Sequence, residues 1–249
     1  MKSAYVMLAA AAIFASAACN AEKGTNASAS NEPIKAIKAP NGDWTKLVSR
    51  TDAGGYVMGN PNADVKLVEF GSMSCPHCAE FDEKGSETLI NNYVKSGRVS
   101  YEFRNFVRDP LDLTISLITR CTGPDRFFQL THEAYGSQRQ FFETLQAAPA
   151  DKLQSLQADQ GATAFPEYAR LSGLQQWAAQ RGLPSAKSSA CLANQQEIDK
   201  LVQMNGDTTT QYPEFSGTPS FTINGKMLEK TATWEALEPQ LRNALGERG

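Results

Sequence analysis

The chain has 249 residues, 41% of them hydrophobic and 20% charged, with 18 Gly and 12 Pro. This is ordinary globular usage, which excludes collagen-like, coiled-coil and wholly disordered classes and leaves enough apolar side chains for a core. Lys and Arg number 24 against 27 Asp and Glu, a net charge of −3, so no nucleic-acid surface and no acidic tail is indicated.

Met1-Lys2 precedes an uncharged run from Ser3 to Ala18, the basic n-region, apolar h-region and small-residue end of a secretory signal. The run is too short to stay as a membrane span, and no later stretch approaches the roughly 20 apolar residues that a span requires. Residues 1–18 are therefore expected to be a signal peptide and the mature protein to be exported. Cys19 directly follows Ser16-Ala17-Ala18, as the lipid-bearing cysteine follows a bacterial lipobox. Ser16 departs from that pattern, so lipid attachment at Cys19 and ordinary cleavage after Ala17 or Ala18 both stay open. Residues 19–43 are polar and poor in large apolar side chains, which reads as a flexible tether, with folding from near Trp44.

Val65 to Phe70 is a short β-branched run ended by Gly71, the pattern of a buried strand. From Cys75 the period changes: Cys78, Phe81, Asp82, Leu89, Ile90 and Tyr93 mark a helical face that Ser96-Gly97 stops. Arg98 to Phe103 is the next strand, so a parallel βαβ unit is expected. Residues 109–206 read as helical throughout. Asp109-Pro110 opens one helix, Gly123-Pro124 stops it, and Asp125 is expected to cap another carrying Phe127, Phe128, Leu130, Ala134 and Tyr135. Leu171, Leu174, Trp177 and Ala178 mark a later helix closed by Gly182 and Pro184. Ser220 to Ile223, the pair Asn224-Gly225 and a short following strand form a hairpin, and a last helix runs from about Thr233 to Leu245. This order describes an α/β, thioredoxin-like fold interrupted by an all-helical insertion, with the core in two parts, 44–108 and 207–249, around the insertion 109–206.

Cys75-Pro76-His77-Cys78 falls where strand passes into helix. A sulfur at a helix N-terminus faces free N–H groups and the positive end of the dipole, which favours thiolate over thiol. Pro76 suits the first turn, His77 is expected to add a donor or positive charge beside the sulfur, and Cys78 lies one turn on. Cys75 is thus the expected nucleophile and Cys78 the resolving thiol, exchanging two electrons without a bound cofactor. A zinc site is disfavoured, because only Cys121, Cys191, His77 and His132 could complete it and none is ligand-spaced. His132 reads as an ordinary helix-face residue.

Gly59-Asn60-Pro61-Asn62-Ala63, Val68-Glu69-Phe70, Cys75-Pro76-His77-Cys78 and Gly217-Thr218-Pro219-Ser220-Phe221 together resemble the DsbA-like thiol:disulfide oxidoreductases, in the branch with a long helical insertion. The resemblance covers about Gly55 to Leu245. It implies that Pro219 is cis against the active-site disulfide, that the Thr218 backbone pairs with an extended substrate, and that Glu69 is a buried acid used in proton handling. An exposed strand glutamate is the other reading of Glu69. Some members carry a second disulfide at places comparable to Cys121 and Cys191; two separate buried thiols are the alternative. The Pro76-His77 dipeptide is that of strongly oxidising members. The reading is a periplasmic dithiol oxidase acting on unfolded exported proteins with free thiols and recharged by a membrane quinone-linked reoxidant. A disulfide isomerase or reductase with the same core is the alternative, and a metal-binding or chaperone-like module a third.

Overall fold

In the computed structural model the described residues are 33–158, 161 and 163–247. The expected signal peptide 1–18 and Cys19 lie outside them. One six-stranded sheet holds β1 (Val48–Arg50), β2 (Tyr56–Gly59), β3 (Val65–Gly71), β4 (Val99–Asn105), β5 (Ser220–Ile223) and β6 (Lys226–Met227), in the spatial order β1-β2-β4-β3-β5-β6. β3 and β4 run parallel, from Val65 opposite Val99 to Gly71 opposite Asn105. Every other pairing is antiparallel. β1 and β2 carry no strong period in the sequence, being three and four residues long. The turn between β5 and β6 has positive φ at both Asn224 (51°) and Gly225 (80°), the conformation that an Asn-Gly pair supplies at little steric cost.

Between β3 and β4 the chain forms α1 (Pro76–Phe81), which continues through wider π-type turns at Asp82–Ser86 and Leu89–Val94. Val65 and Leu67 of β3 pack in one apolar cluster with Phe81, Leu89 and Tyr93 of this helix and with Trp234 and Leu237. The close approach requires Gly85, because a Cβ there would lie 2.7 Å from the Trp234 ring. Val68 and Phe70, on the opposite face of β3, pack with Tyr212 and Met227.

The helical stretch comprises α2 (Pro110–Arg120), α3 (Phe127–Gly136), α4 (Gln138–Gln146), α5 (Ala150–Ala158), α6 (Ala164–Leu171), α7 (Leu174–Gln180), α8 (Ser185–Leu192) and α9 (Gln195–Gln211); α10 (Trp234–Ala244) follows the hairpin. Asp109 caps α2, its side chain accepting from the Asp112 N–H at 2.8 Å. Asp125 does not cap α3 as expected: Pro124–Arg126 forms a 3₁₀ turn and α3 begins at Phe127 without a side-chain cap. Core packing sets that start, for Phe127 is fully buried and stacks on Tyr56 at 4.1 Å. No helix among the described residues is long and apolar enough to cross a membrane.

Residues 33–43, expected as part of the tether, are instead laid against the body. The Ile34 N–H donates to Leu245 O at 2.9 Å, the Ile37 N–H to Ser96 O at 2.8 Å, and Trp44 Nε1 to Ile37 O at 2.7 Å. Backbone hydrogen bonds hold this stretch where its composition offers few side chains for burial.

The far end of α2 is locked by a buried arginine. Arg120 donates to Glu197 at 2.6 Å, to Asn105 Oδ1 at 2.9 Å and to Gly54 O at 2.8 Å, with its guanidinium 5.0 Å from the Tyr56 ring centroid. One residue on, Cys121 is bonded to Cys191 at a Cα separation of 5.7 Å, tying α2 to α8. A loop of 70 residues gives about 4 kcal/mol by the chain-entropy account. Replacing both cysteines by Ser should therefore lower stability by about 2–4 kcal/mol in urea unfolding. Peptide mapping without reductant should recover Cys121 and Cys191 in one linked pair; finding both free to alkylate would remove the basis for that loss.

Candidate active site

β3 ends at Gly71, and the loop Ser72–Ser74 delivers Cys75 to the N-cap of α1 with extended backbone, φ −85° and ψ 119°. Pro76 takes the first helical position, where a missing N–H costs nothing. Cys75 and Cys78 are free thiols, 2% and 0% exposed. They are electrostatically unequal. The Cys78 thiol beside Cys75 holds its pKa down to about 5; burial opposes this, and the Thr218 side chain and the N–H groups of Cys78 and His77 reinforce it. Burial, then the bond to Cys75 and the nearby Glu69 charge, push Cys78 well above the ordinary thiol range. The Ser72 N–H, 3.5 Å from Cys78 Sγ, works in the other direction.

Across the loop from the sulfurs, the Thr218–Pro219 peptide is cis. The Thr218 carbonyl lies 3.1 Å from Cys75 Sγ and accepts its thiol proton when one is present. The Thr218 hydroxyl, buried without another partner, favours the thiolate form of Cys75.

Glu69 is 1% exposed, which excludes the exposed-strand reading. It lies on β3 between Val68 and Phe70, on the same strand face as Leu67, in a stretch buried on both faces. Burial pushes its carboxyl up to about 8, although the Tyr101 hydroxyl donates to Oε2 at 2.5 Å and opposes the shift. Oε1 has no partner. A carboxyl that is mostly protonated near neutrality thus sits close enough to both cysteines to be coupled to them electrostatically.

One expectation is corrected by the geometry. The His77 imidazole does not lie beside the Cys75 sulfur: it is 75% exposed and its Nδ1 faces Glu80 at 3.7 Å, so the residue reaches Cys75 through its backbone N–H. His132 lies on the exposed face of α3, with its Nδ1 2.6 Å from Oδ2 of Asp82, one turn beyond Cys78. Tyr101 goes unnoticed in the sequence, and Asp82 is read only as part of a helical face, not as a group of the site. The only signal was their distance from the motif, Asp82 at helical spacing after Cys78 and Tyr101 in a run pairing with β3. Among the described residues no cluster of three His, Cys, Asp or Glu is placed to hold a metal.

The family model described as Thioredoxin matches residues 51–243, and the chain belongs to this thioredoxin family. The crystal structure of a protein-disulfide isomerase from Novosphingobium aromaticivorans is 36% identical and aligns at a TM-score of 0.73 over 80% of this chain and 99% of its own. Alpha-DsbA1 of Wolbachia pipientis, at 18% identity, shares the fold with a TM-score of 0.61 over 82% of this chain and 96% of its own. A Rickettsia felis protein named "Putative protein-disulfide oxidoreductase" is 27% identical over 88% of this chain and 73% of its own length.

Two measurements follow from the electrostatics. The rate of Cys75 alkylation in reduced protein should titrate with a midpoint near pH 5, and His77→Ala should move it by less than about half a unit because the backbone N–H remains; a larger shift would return the imidazole to the sulfur. The Glu69 carboxyl is raised in the fold, so its contribution to stability is present below the unfolded value of 4.5 and lost as pH rises through about 8. Glu69→Gln, which imitates the protonated acid, should gain on wild type in urea unfolding as pH climbs across that window. A difference that stays constant with pH would show that Glu69 ionises as easily folded as unfolded.

Proposed function

We propose that this protein is a thiol:disulfide oxidoreductase working as a dithiol oxidase on exported proteins. The observation that carries the reading is the opposition between the two sulfurs: Cys75 is held as an anion at pH 7 while Cys78 holds its proton. A disulfide between such a pair is strained toward opening, because reduction creates a thiolate that the site stabilises.

Client oxidation starts from the Cys75–Cys78 disulfide. A client thiolate attacks Cys75 Sγ, that S–S bond breaks, a mixed disulfide forms at Cys75, and Cys78 departs and takes up a proton. Glu69, protonated near neutrality, is the proposed source of that proton. A second client thiolate then attacks the client sulfur of the mixed disulfide, closing the client disulfide and expelling Cys75 as its favoured thiolate. Two electrons pass from client to enzyme; of the two client protons, one ends on Cys78 by way of Glu69 and one goes to solvent. The Thr218 backbone, beside the sulfur, is placed to align an extended client, as the family resemblance implies. The same resemblance supplies the periplasmic location and the membrane quinone-linked reoxidant, whose test is client turnover that depends on quinone-containing membranes.

An isomerase or reductase reading is favoured by one observation, the name of the 36%-identical Novosphingobium protein. A redox titration of Cys75 and Cys78 in glutathione buffers separates the two. A potential near about −120 mV fits an oxidase and one near about −270 mV a reductant. With Cys121–Cys191 intact, reduced protein should also melt above oxidised protein at neutral pH. The Cys75 pKa is depressed in the fold, so its stabilising contribution is fully present above the unfolded thiol pKa and lost as pH falls through about 5. The margin between the two melting curves should narrow over that descent. Oxidised protein melting at or above reduced protein at pH 7 would put the reductase reading ahead.

A further inference from the structure

The loop that carries Cys75 is gripped from the insertion by groups of both polarities. Asp112, in the first turn of α2 and fully buried, gathers the loop's donors: the Ser72 hydroxyl at 2.6 Å and the Met73 N–H at 2.8 Å, with the Ser74 hydroxyl at 3.4 Å. The Arg108 N–H at 2.9 Å and the Ser116 hydroxyl at 3.4 Å complete its shell. Asp109 adds a second acceptor for the Ser74 hydroxyl at 2.6 Å. Gln138, the first residue of α4 and also buried, supplies the donors for the loop's carbonyls, reaching Met73 O at 2.9 Å and Cys75 O at 3.1 Å. The Tyr135 hydroxyl donates to Ser72 O at 3.3 Å.

What this grip fixes is the position of two groups that meet the sulfurs. Cys75 N–H donates to Ser72 O at 3.1 Å, closing a turn that presents Cys75 Sγ to the N–H groups of α1. The same turn aims the Ser72 N–H at Cys78 Sγ. Neither Asp112 nor Gln138 touches a sulfur, and neither belongs to the strand-loop-helix segment that bears the cysteines. We propose that Asp112 and Gln138 are positioning residues through which the helical insertion sets the thiolate pKa and the redox poise of Cys75 and Cys78. This rests on the oxidoreductase reading and goes beyond it, for it assigns a chemical task to helices that otherwise only pack.

Buried carboxylates that bond only neutral donors are costly to keep, and four donors converging on one of them, with the Ser74 hydroxyl shared between it and Asp109, is a built arrangement rather than incidental contact. Loosening it lets the turn relax. The N–H groups of α1 and the Ser72 N–H then meet the sulfurs less squarely, which raises the Cys75 pKa and disfavours the reduced dithiol.

The test uses Asp112→Asn, which keeps shape but presents an amide N–H₂ where an acceptor stood, and Gln138→Met, which keeps volume and removes both donors. In each, alkylation of Cys75 should titrate higher by about one unit, the equivalent of one hydrogen bond, and the glutathione equilibrium should move several-fold toward the disulfide. Arg120→Met, at the opposite end of α2, provides a matched loss of stability and should leave both quantities at their wild-type values. If Asp112→Asn does not fold, Gln138→Met decides. Folded variants with wild-type titration and equilibrium, an equal shift in Arg120→Met, or failure of both loop variants to fold would each overturn the proposal. The oxidase reading stands on the wild-type potential alone, so its failure and the failure of this proposal are read from different measurements.

Discussion

A sulfur anion almost withdrawn from water is the condition on which the site depends. Cys75 is 2% exposed and would strongly favour its proton if burial acted alone. Nearby donors reverse that preference: the Cys78 thiol first, then the Thr218 side chain and the N–H groups of Cys78 and His77 at the start of the helix that Cys75 precedes. Much of the surrounding fold serves to hold that geometry. β3 brings the chain to the right point, a four-residue turn converts strand into helix, and the cis Thr218–Pro219 peptide closes the other side.

The asymmetry of the pair extends inward. Cys78 lies near a wholly buried carboxyl and a buried tyrosine: burial raises all three groups, the Glu69 charge raises Cys78 and Tyr101 further, and of the three only the Tyr101 hydroxyl works the other way, easing ionisation of Glu69. Cys75 is the outlet at which negative charge is tolerated, whereas everything behind it favours protons. Electrons and protons therefore part company at the dithiol: charge collects on the outer sulfur and hydrogen on the inner one.

Much of this was legible in the sequence because its signals are local. Val65 to Phe70 followed by Cys75-Pro76-His77-Cys78 prescribes a strand, a turn and a capped helix, and Asn224-Gly225 prescribes a hairpin. What stayed hidden depends on packing. The side chain of His77 is turned toward Glu80 by the helix face it occupies. The start of α3 is decided by burial of Phe127 against Tyr56, a residue 71 positions away, and not by the acid at 125. Asp112 is recognisable only as the third residue after a cap; that its carboxylate turns to residues 72–74 follows from how α2 docks beside the loop.

The hydrogen bonds of residues 34 and 37 carry a directional consequence. Ile37 pairs with Ser96, just before β4 begins, and Ile34 with the carbonyl that ends α10. Because β3 and β4 are parallel, the beginning of β4 and the beginning of β3 share one edge of the sheet, and Cys75 stands beyond the opposite edge. Seven residues of β3 at about 3.3 Å each separate the two edges by roughly 20 Å. The backbone thus joins the folded body at its base, with the reactive sulfur at its crown. Residues 34–37 are held at the end of the sheet opposite the one that delivers Cys75.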